Sequence, residues 1–260
     1  MKVIIIGSGN VATVMGSRIA SSGHTILQVV ARREEPAARL AAGWGCGYTT
    51  RWEEVNREAD IYIVSISDKA LAGLGEVLQL PGRLVVHTAG AVAANVLMNV
   101  SASCGVLYPL QSLRSGIQPF PEFPLLIAAN QPQGLPVIEA FARTIASQVQ
   151  QTDDETRLKL HVAATLVNNF PNFLYTQASV FCAAEKLDFS LLLPLVRETA
   201  NRIGAYPPQD VQTGPAVRGD EPTIHRHLEI LDNYKDLSEL YRLFTIQIEQ
   251  FYGIKEKRAG

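Results

Sequence analysis

Glycines near the start of the chain have the spacing of a loop that binds a dinucleotide. Four apolar residues ending at Ile6 run directly into Gly7-Ser8-Gly9-Asn10-Val11-Ala12. In this G-x-G-x-x-A pattern the first glycine permits the turn out of a strand, the second leaves space for a diphosphate, and Ala12 lets a helix pack on the sheet. That helix should begin near Asn10, where free N–H groups favour a phosphate. The segment predicts a nucleotide site; the alternative is a glycine turn in an α/β protein that binds no nucleotide.

Two arginines indicate which nucleotide would bind. NAD-binding proteins carry an acidic residue about 20 residues past the glycines, where it holds the ribose hydroxyls. Here the second predicted strand runs into Arg32 and Arg33, whose guanidinium groups suit a 2′-phosphate. Glu34 and Glu35 follow and are explained as partners of a helix dipole. We therefore expect NADP (NADPH) as the cofactor; the alternative is that both arginines lie in a solvated loop.

Further cofactor contacts are expected in the loops after the fourth and fifth predicted strands. Ligands of open α/β sheets lie beyond the carboxyl ends of the strands. The residues at those two ends are Ser65, Ile66, Ser67 and Thr88. Ser67 and Asp68 could equally cap the next helix.

Polar residues near the expected nicotinamide end are the candidates for catalysis. Hydride transfer needs an acceptor carbon held against the nicotinamide and a donor for the charge that develops. The candidates follow the fifth and sixth strands or lie on the next long helix: His87, Tyr108, His161, Asn168 and Asn169. His161 could relay a proton near neutral pH. The alternatives are a core hydrogen bond for His161 and, for the asparagines, a bond to the carbonyl that Pro171 leaves free.

Strands that alternate with helices must position these residues. The pattern predicts a mostly parallel, Rossmann-type α/β sheet over residues 1–151. After the opening run, its predicted strands are Thr25–Ala31, Gly47–Thr49, Asp60–Ser65, Arg83–His87, Cys104–Leu107 and Leu125–Ala128. Helices are expected over 11–22, over 34–42 with Gly43 ending it, and over 134–148. The last of these should close this half of the chain.

Strand signals vanish after Thr152, and residues 152–260 are predicted to form an all-helical domain. A helical pattern capped near Asp153 runs towards Glu185, with a kink expected at Pro171. Shorter helices are expected over 191–203, ended by Gly204, and over 222–231. The segment 205–220 is predicted to be a loop, and an apolar stripe predicts a last helix over 237–251.

Composition excludes several function classes. The chain has 260 residues and a net charge of −2, with no basic stripe for nucleic acid or for a membrane surface. No stretch approaches the length of a membrane span. The three cysteines lack metal-ligand spacing, so no metal is expected, and their odd number fits a reducing, cytoplasmic location.

The motifs together resemble a known group of proteins. The glycine loop, the arginine pair and the helical second half resemble the superfamily of F420-dependent NADP oxidoreductases, pyrroline-5-carboxylate reductases and 6-phosphogluconate dehydrogenases. More narrowly, the resemblance is to Rossmann-like proteins with a DUF2520 C-terminal domain. Three segments carry it: His87-Thr88-Ala89-Gly90-Ala91, Gly105-Val106-Leu107-Tyr108-Pro109-Leu110-Gln111-Ser112 and Thr213-Gly214-Pro215-Ala216-Val217-Arg218-Gly219-Asp220. It implies an NADP-dependent oxidoreductase, a 6-phosphogluconate dehydrogenase-like helical domain that helps form the substrate crevice, and a homodimer through that domain.

One position departs from the superfamily pattern. Thr165 stands where the hydroxyacid dehydrogenases carry a lysine that acts as general acid/base. A threonine hydroxyl cannot replace an ammonium group as a proton donor at neutral pH. Hydride transfer to another small-molecule acceptor, with a C=O, C=N or deazaflavin-like group, stays open. The alternative functions are a non-catalytic NADP(H)-binding sensor or subunit, and a scaffold that binds no nucleotide.

Overall fold

The structure, a computed structural model, describes residues 1–254 and has an eight-stranded sheet in its N-terminal part. The strand order is β3-β2-β1-β4-β5-β6-β7-β8, and all neighbours are parallel except β6 and β7. The strands are β1 Lys2–Ile6, β2 Thr25–Val30, β3 Gly47–Thr49, β4 Ile61–Val64, β5 Leu84–His87, β6 Ser103–Pro109, β7 Leu125–Ala129 and β8 Val149–Gln151. The predicted Rossmann-type, mostly parallel sheet is confirmed.

Alternate residues of the central strand serve two separate cores. Val3 and Ile5 pack in one cluster with residues of the first helix, and Ile4 and Ile6 pack in another on the opposite face. All four side chains are fully buried. A strand covered on both faces needs a continuous apolar run, which is why this segment lacks period-two alternation.

Four helices connect the strands, and two of them end two or more residues away from the predicted end. They are α1 Asn10–Ser21, α2 Glu34–Trp44, α3 Asp68–Leu71 and α4 Gly134–Ile145. The expected end of α2 at Gly43 is wrong, because Gly45 has the left-handed conformation, with φ at +65°, that terminates the helix. The end of α4 at Gln148 is also wrong, since the unpredicted strand β8 begins at Val149.

The first helix after the sheet changes its hydrogen-bonding pattern before Pro171. This helix, α5 Asp154–Ala164, begins as predicted at Asp153, whose carboxylate accepts from the Thr156 N–H at 2.7 Å. A π-helical segment, Thr165–Asn169, follows, and α6 covers Phe170–Ala184. Pro171 has no N–H to donate to the Val167 carbonyl. The chain departs from α-helical geometry in the wider π-helical turn that immediately precedes this proline.

Contacts between Cα atoms divide the chain into two compact units, Met1–Phe170 and a second from Pro171 onward. The sequence places a boundary at 151/152, which follows the end of the sheet and stays a prediction.

The remaining helices are α7 Leu193–Ala205, α8 Pro215–Arg218, α9 Glu221–Ile230 and α10 Lys235–Phe251. Gly204 lies inside α7 and does not end it, and the expected loop 205–220 contains α8. Within residues 1–254, no helix has the length and apolar character to cross a membrane.

Candidate cofactor and active site

A cavity of about 610 Å³ lies at the carboxyl ends of β1, β2 and β4. Eight of the twelve predicted cofactor residues line it: Gly7, Ser8, Gly9, Arg32, Arg33, Ser65, Ile66 and Ser67. The other four are not part of its lining. The Asn10 side chain accepts hydrogen bonds from the backbone N–H and hydroxyl of Ser115, Val11 is half-buried, and Ala12 and Thr88 are buried.

Backbone geometry explains the two glycines at the cavity floor. Gly7 has a φ of +126°, and a Cβ there would lie 2.2 Å from the Ser65 carbonyl oxygen. A Cβ at Gly9 would meet no atom of residues 1–254 within 4 Å, so the described part of the chain leaves the space above Gly9 open. Gly9 immediately precedes α1, whose first N–H groups are free to bind an anion.

Replacing Gly7 by alanine should lower the free energy of unfolding of the protein, measured in the absence of ligand. The positive φ and the clash with the Ser65 carbonyl together predict a loss of about 2 kcal/mol or more in the free energy of unfolding. Urea denaturation measures it. Gly43→Ala is the matched control, because Gly43 is helical with open space around it, and alanine there should stabilise by about 0.5–1 kcal/mol. Equal stability of Gly7→Ala and wild type would contradict this account of the turn.

The arginine pair forms an unpaired cationic rim on the cavity. Arg32 and Arg33 are exposed, and among residues 1–254 neither guanidinium forms a hydrogen bond or ion pair. The acids that follow have partners of their own: Glu34 accepts from the Tyr48 hydroxyl at 3.0 Å, and Glu35 pairs with Arg39 at 3.0 Å. Two free guanidiniums beside an open anion-binding turn are chemically suited to a second phosphate.

The cavity also has apolar lining residues that were not predicted. They include Trp52, Leu74 and Val77. These residues are scattered between β3 and β5 and follow no motif, so the sequence offers no signal that groups them. Apolar and aromatic lining residues of this kind suit an aromatic ring system.

His87 is placed where it organises a loop. Its ring is fully buried, Nε2 donates to the Ala93 carbonyl at 3.1 Å, and Nδ1 accepts from the Ala89 N–H at 3.2 Å. Burial lowers the pKa of His87 from 6.5 to about 4, so the ring is neutral at pH 7. Both nitrogens are satisfied by backbone, which leaves neither for a substrate.

Tyr108 and His161, separated by 53 residues in sequence, form a hydrogen-bonded pair. Tyr108 Oη lies 2.9 Å from His161 Nδ1, and the two rings meet edge to face at 5.9 Å. Burial is the main cause that raises the pKa of Tyr108. Both rings pack on the backbone of Gly90, where a Cβ would lie 2.6 Å from His161 Nδ1 and 2.8 Å from Tyr108 Cζ. The β5–β6 loop therefore approaches the pair as closely as only glycine allows.

Comparison with known proteins identifies the family. Residues 2–90 match the family model described as NADP oxidoreductase, coenzyme F420-dependent, and residues 123–248 match the domain of unknown function DUF2520. A solved structure of a candidate NADP oxidoreductase from Bacteroides fragilis is 36% identical, with 96% of this chain and 98% of that chain covered and a TM-score of 0.89. The chain belongs to the DUF2520 family of NADP oxidoreductases.

More distant solved structures share the fold of this chain. An imine reductase from Myxococcus stipitatus in complex with NADP+ is 14% identical, covers 100% of this chain and 95% of its own, and has a TM-score of 0.63. A 1-pyrroline-5-carboxylate reductase from Streptococcus pyogenes is 13% identical over 96% and 98% of the two chains, with a TM-score of 0.62. No curated protein matches the sequence.

The remaining predicted site residues lie on the π-helical segment. Asn168 and Asn169 are exposed there. The hydroxyl of Thr165 donates to the His161 carbonyl at 3.1 Å, which is an ordinary bond within the helix. Within residues 1–254, no group of three or more His, Cys, Asp or Glu side chains could hold a metal ion.

One buried charge, Arg157, was not predicted from the sequence. The side chain of Arg157, on α5, is 1% exposed, and its Nη2 donates to Asp154 Oδ1 at 2.7 Å and to the Val92 carbonyl. The i, i+3 spacing of Asp154 and Arg157 was visible in the sequence. It matched the ordinary acidic first turn of a helix and so did not point to burial.

Proposed function

We propose that this protein is an NADP(H)-dependent oxidoreductase that transfers a hydride between the cofactor and a small molecule with a C=O, C=N or deazaflavin-like acceptor. The observation that carries the proposal is the cavity, which joins a glycine turn, a helix N-terminus and two guanidiniums that have no partner among residues 1–254. Membership of an NADP oxidoreductase family supports the same cofactor.

Different lining residues of the cavity are proposed to bind different groups of NADP(H). The first N–H groups of α1 would bind the diphosphate beside Gly9, where a Cβ would meet no atom of residues 1–254 within 4 Å. Arg32 and Arg33 would bind the 2′-phosphate, and the apolar lining residue Trp52 would contact the adenine. When bound, the cofactor supplies or accepts the hydride.

Tyr108 and His161 are proposed to manage the proton that accompanies hydride transfer. The raised pKa of Tyr108 keeps its hydroxyl protonated at neutral pH, so Oη can donate to the acceptor's oxygen or nitrogen. His161 Nδ1, at 2.9 Å, can then return its proton to Oη while Nε2 takes one from solvent, so that the imidazole stays neutral. Thr165 in the lysine position argues against the usual hydroxyacid dehydrogenase mechanism. Asn168 and Asn169, exposed on the next turns, are proposed as substrate contacts.

Consumption of NADPH tests the proposal. Absorbance at 340 nm is followed with a panel of cyclic imines, 2-oxo acids and an oxidised deazaflavin. Turnover with one class confirms an enzyme and names the acceptor. Tight NADPH binding without turnover of any class would support a non-catalytic, cofactor-binding protein, and absence of binding would contradict both.

We further propose a homodimer formed through the helical second unit. Several of its large apolar side chains are more than half exposed: Val180, Leu191, Leu195 and Phe251. Apolar exposure of this extent is typical of an interface. Sedimentation equilibrium should give twice the 28.4 kDa chain mass, and Leu191→Glu with Leu195→Glu should shift the protein to monomer. Met98→Glu, at an exposed apolar residue of the first unit, is the control; a wild-type monomer would contradict the proposal.

The cysteines support a location in the cytoplasm. Cys46, Cys104 and Cys182 are all free thiols. Free, partly buried thiols are typical of proteins from reducing compartments. We therefore propose that the protein works in the cytoplasm.

A further inference from the structure

We propose that Arg157 is a positioning residue that keeps Tyr108 and His161 in contact by fixing residues 89–94 from the buried side. The effect of Arg157 on catalysis rests on the proposed function. Its effect on the contact between the Tyr108 and His161 rings does not, and that contact can be measured without turnover.

The state of the Arg157 side chain is unusual. It is 1% exposed, and neither Nε nor Nη1 has a hydrogen-bond partner among the residues described. Burying a guanidinium with incomplete pairing is costly, and an apolar side chain of similar volume would avoid that cost. The presence of a charged side chain at this buried position therefore indicates a role that an apolar side chain could not perform.

The hydrogen bonds of Arg157 and of its partner Asp154 indicate that this role is to hold residues 89–94 in place. Its Nη2 donates to the Val92 carbonyl, and the Asp154 carboxylate it pairs with accepts from the Ala94 N–H at 3.0 and 3.3 Å. His87 binds the same loop through Ala89 and Ala93. The loop is thus tied at four residues, two of them through the pair on α5.

Gly90 transmits this constraint to the two rings. It lies between the tied residues, and its Cα is so close to Tyr108 and His161 that a Cβ would clash with both at under 3 Å. Arg157 and His161 are four residues apart on α5 and so share a helix face. Displacement of the loop by a few tenths of an ångström would therefore change the space in which the rings meet.

The charge of Arg157 also affects Tyr108 directly, in addition to the effect of Arg157 on the loop. Burial and the charge of Asp68 raise the pKa of Tyr108, and the positive charge of Arg157 opposes both. Arg157 thus also limits how far the pKa of the Tyr108 hydroxyl rises.

The ¹⁵N signal of His161 Nδ1 tests the proposal by NMR of histidine-labelled protein. The signal is assigned with His161→Gln, and Tyr108→Phe gives its position without the hydrogen bond. We expect Arg157→Met to move the signal to the Tyr108→Phe position and Arg157→Lys to restore the wild-type position. A wild-type signal in folded Arg157→Met protein would overturn the proposal.

A second variant covers the case in which Arg157→Met does not fold. Asp154→Asn keeps the side-chain size and weakens the link to Ala94, so we expect a shift of the Nδ1 signal towards the Tyr108→Phe position; an unchanged signal would overturn the proposal. With an accepted substrate, Arg157→Met should lower kcat about 10- to 100-fold with the Kd for NADPH unchanged. If no substrate is turned over, the proposed function fails, and the NMR result still decides the role of Arg157.

Discussion

Replacing Arg32 and Arg33 together by alanine is expected to weaken NADPH binding roughly 30- to 800-fold and to leave NADH binding nearly unchanged. The two guanidiniums line the cavity and have no partner among residues 1–254, so nothing but solvent is released when a phosphate binds them. Charge-assisted hydrogen bonds to a phosphate should contribute about 2–4 kcal/mol for the pair. NADH lacks the 2′-phosphate and therefore gains nothing from either residue.

Tryptophan fluorescence provides the readout for this variant. The chain has two tryptophans: Trp52 lines the cavity, and Trp44 packs against Gly16. In a Trp44→Phe background, quenching of Trp52 reports occupancy of the cavity by either nucleotide. Arg39→Ala, an exposed arginine paired with Glu35, is the matched control and should change neither affinity. Equal losses for NADPH and NADH would remove the reason for assigning the 2′-phosphate to this pair.

Tyr108→Phe is expected to lower kcat about 10²- to 10⁴-fold while the Kd for NADPH stays within twofold of wild type. The phenyl ring keeps the packing against Gly90, and only the hydroxyl that contacts His161 Nδ1 is lost. General acid catalysis by a positioned side chain contributes an effect of this size. Tyr108 is not part of the cavity lining, so cofactor affinity should not depend on it.

A matched tyrosine and a pH profile complete this test. Tyr62 is fully buried, and its hydroxyl donates to the Asn56 carbonyl at 2.9 Å, so Tyr62→Phe should leave kcat unchanged. Because burial raises the pKa of Tyr108 above its usual value of 10, the protonated, donating form should persist at all pH values below 10. Wild-type kcat in Tyr108→Phe, or a loss of activity between pH 7 and 9 that this variant abolishes, would contradict the assignment.

Most of the sheet could be predicted because its strands carry continuous apolar runs. The strand β8 could not, since it has three residues, two of them glutamine, and exists through its pairing with β7. The end of α2 was predicted at the wrong glycine. Gly43 and Gly45 are equivalent by residue type, and only the backbone conformation shows which of them ends the helix.

The candidate site was predictable one residue at a time but not as an arrangement. Sequence spacing nominated Tyr108 and His161 separately, and their contact depends on how closely Gly90 approaches both rings. His87 was nominated for the same chemistry, yet its nitrogens are both bonded to backbone. Arg157 was overlooked because charge on the first turn of a helix is normally solvated, and only tertiary structure reveals its burial.

Calorimetric titration of the unmodified protein with NADPH and with NADH tests the central claim most directly. The claim is that NADP(H) occupies the cavity, with its diphosphate over Gly9 and its 2′-phosphate on Arg32 and Arg33. We predict one site per chain and an affinity for NADPH at least 30-fold higher than for NADH. Equal affinities, or no heat with either nucleotide, would contradict the account.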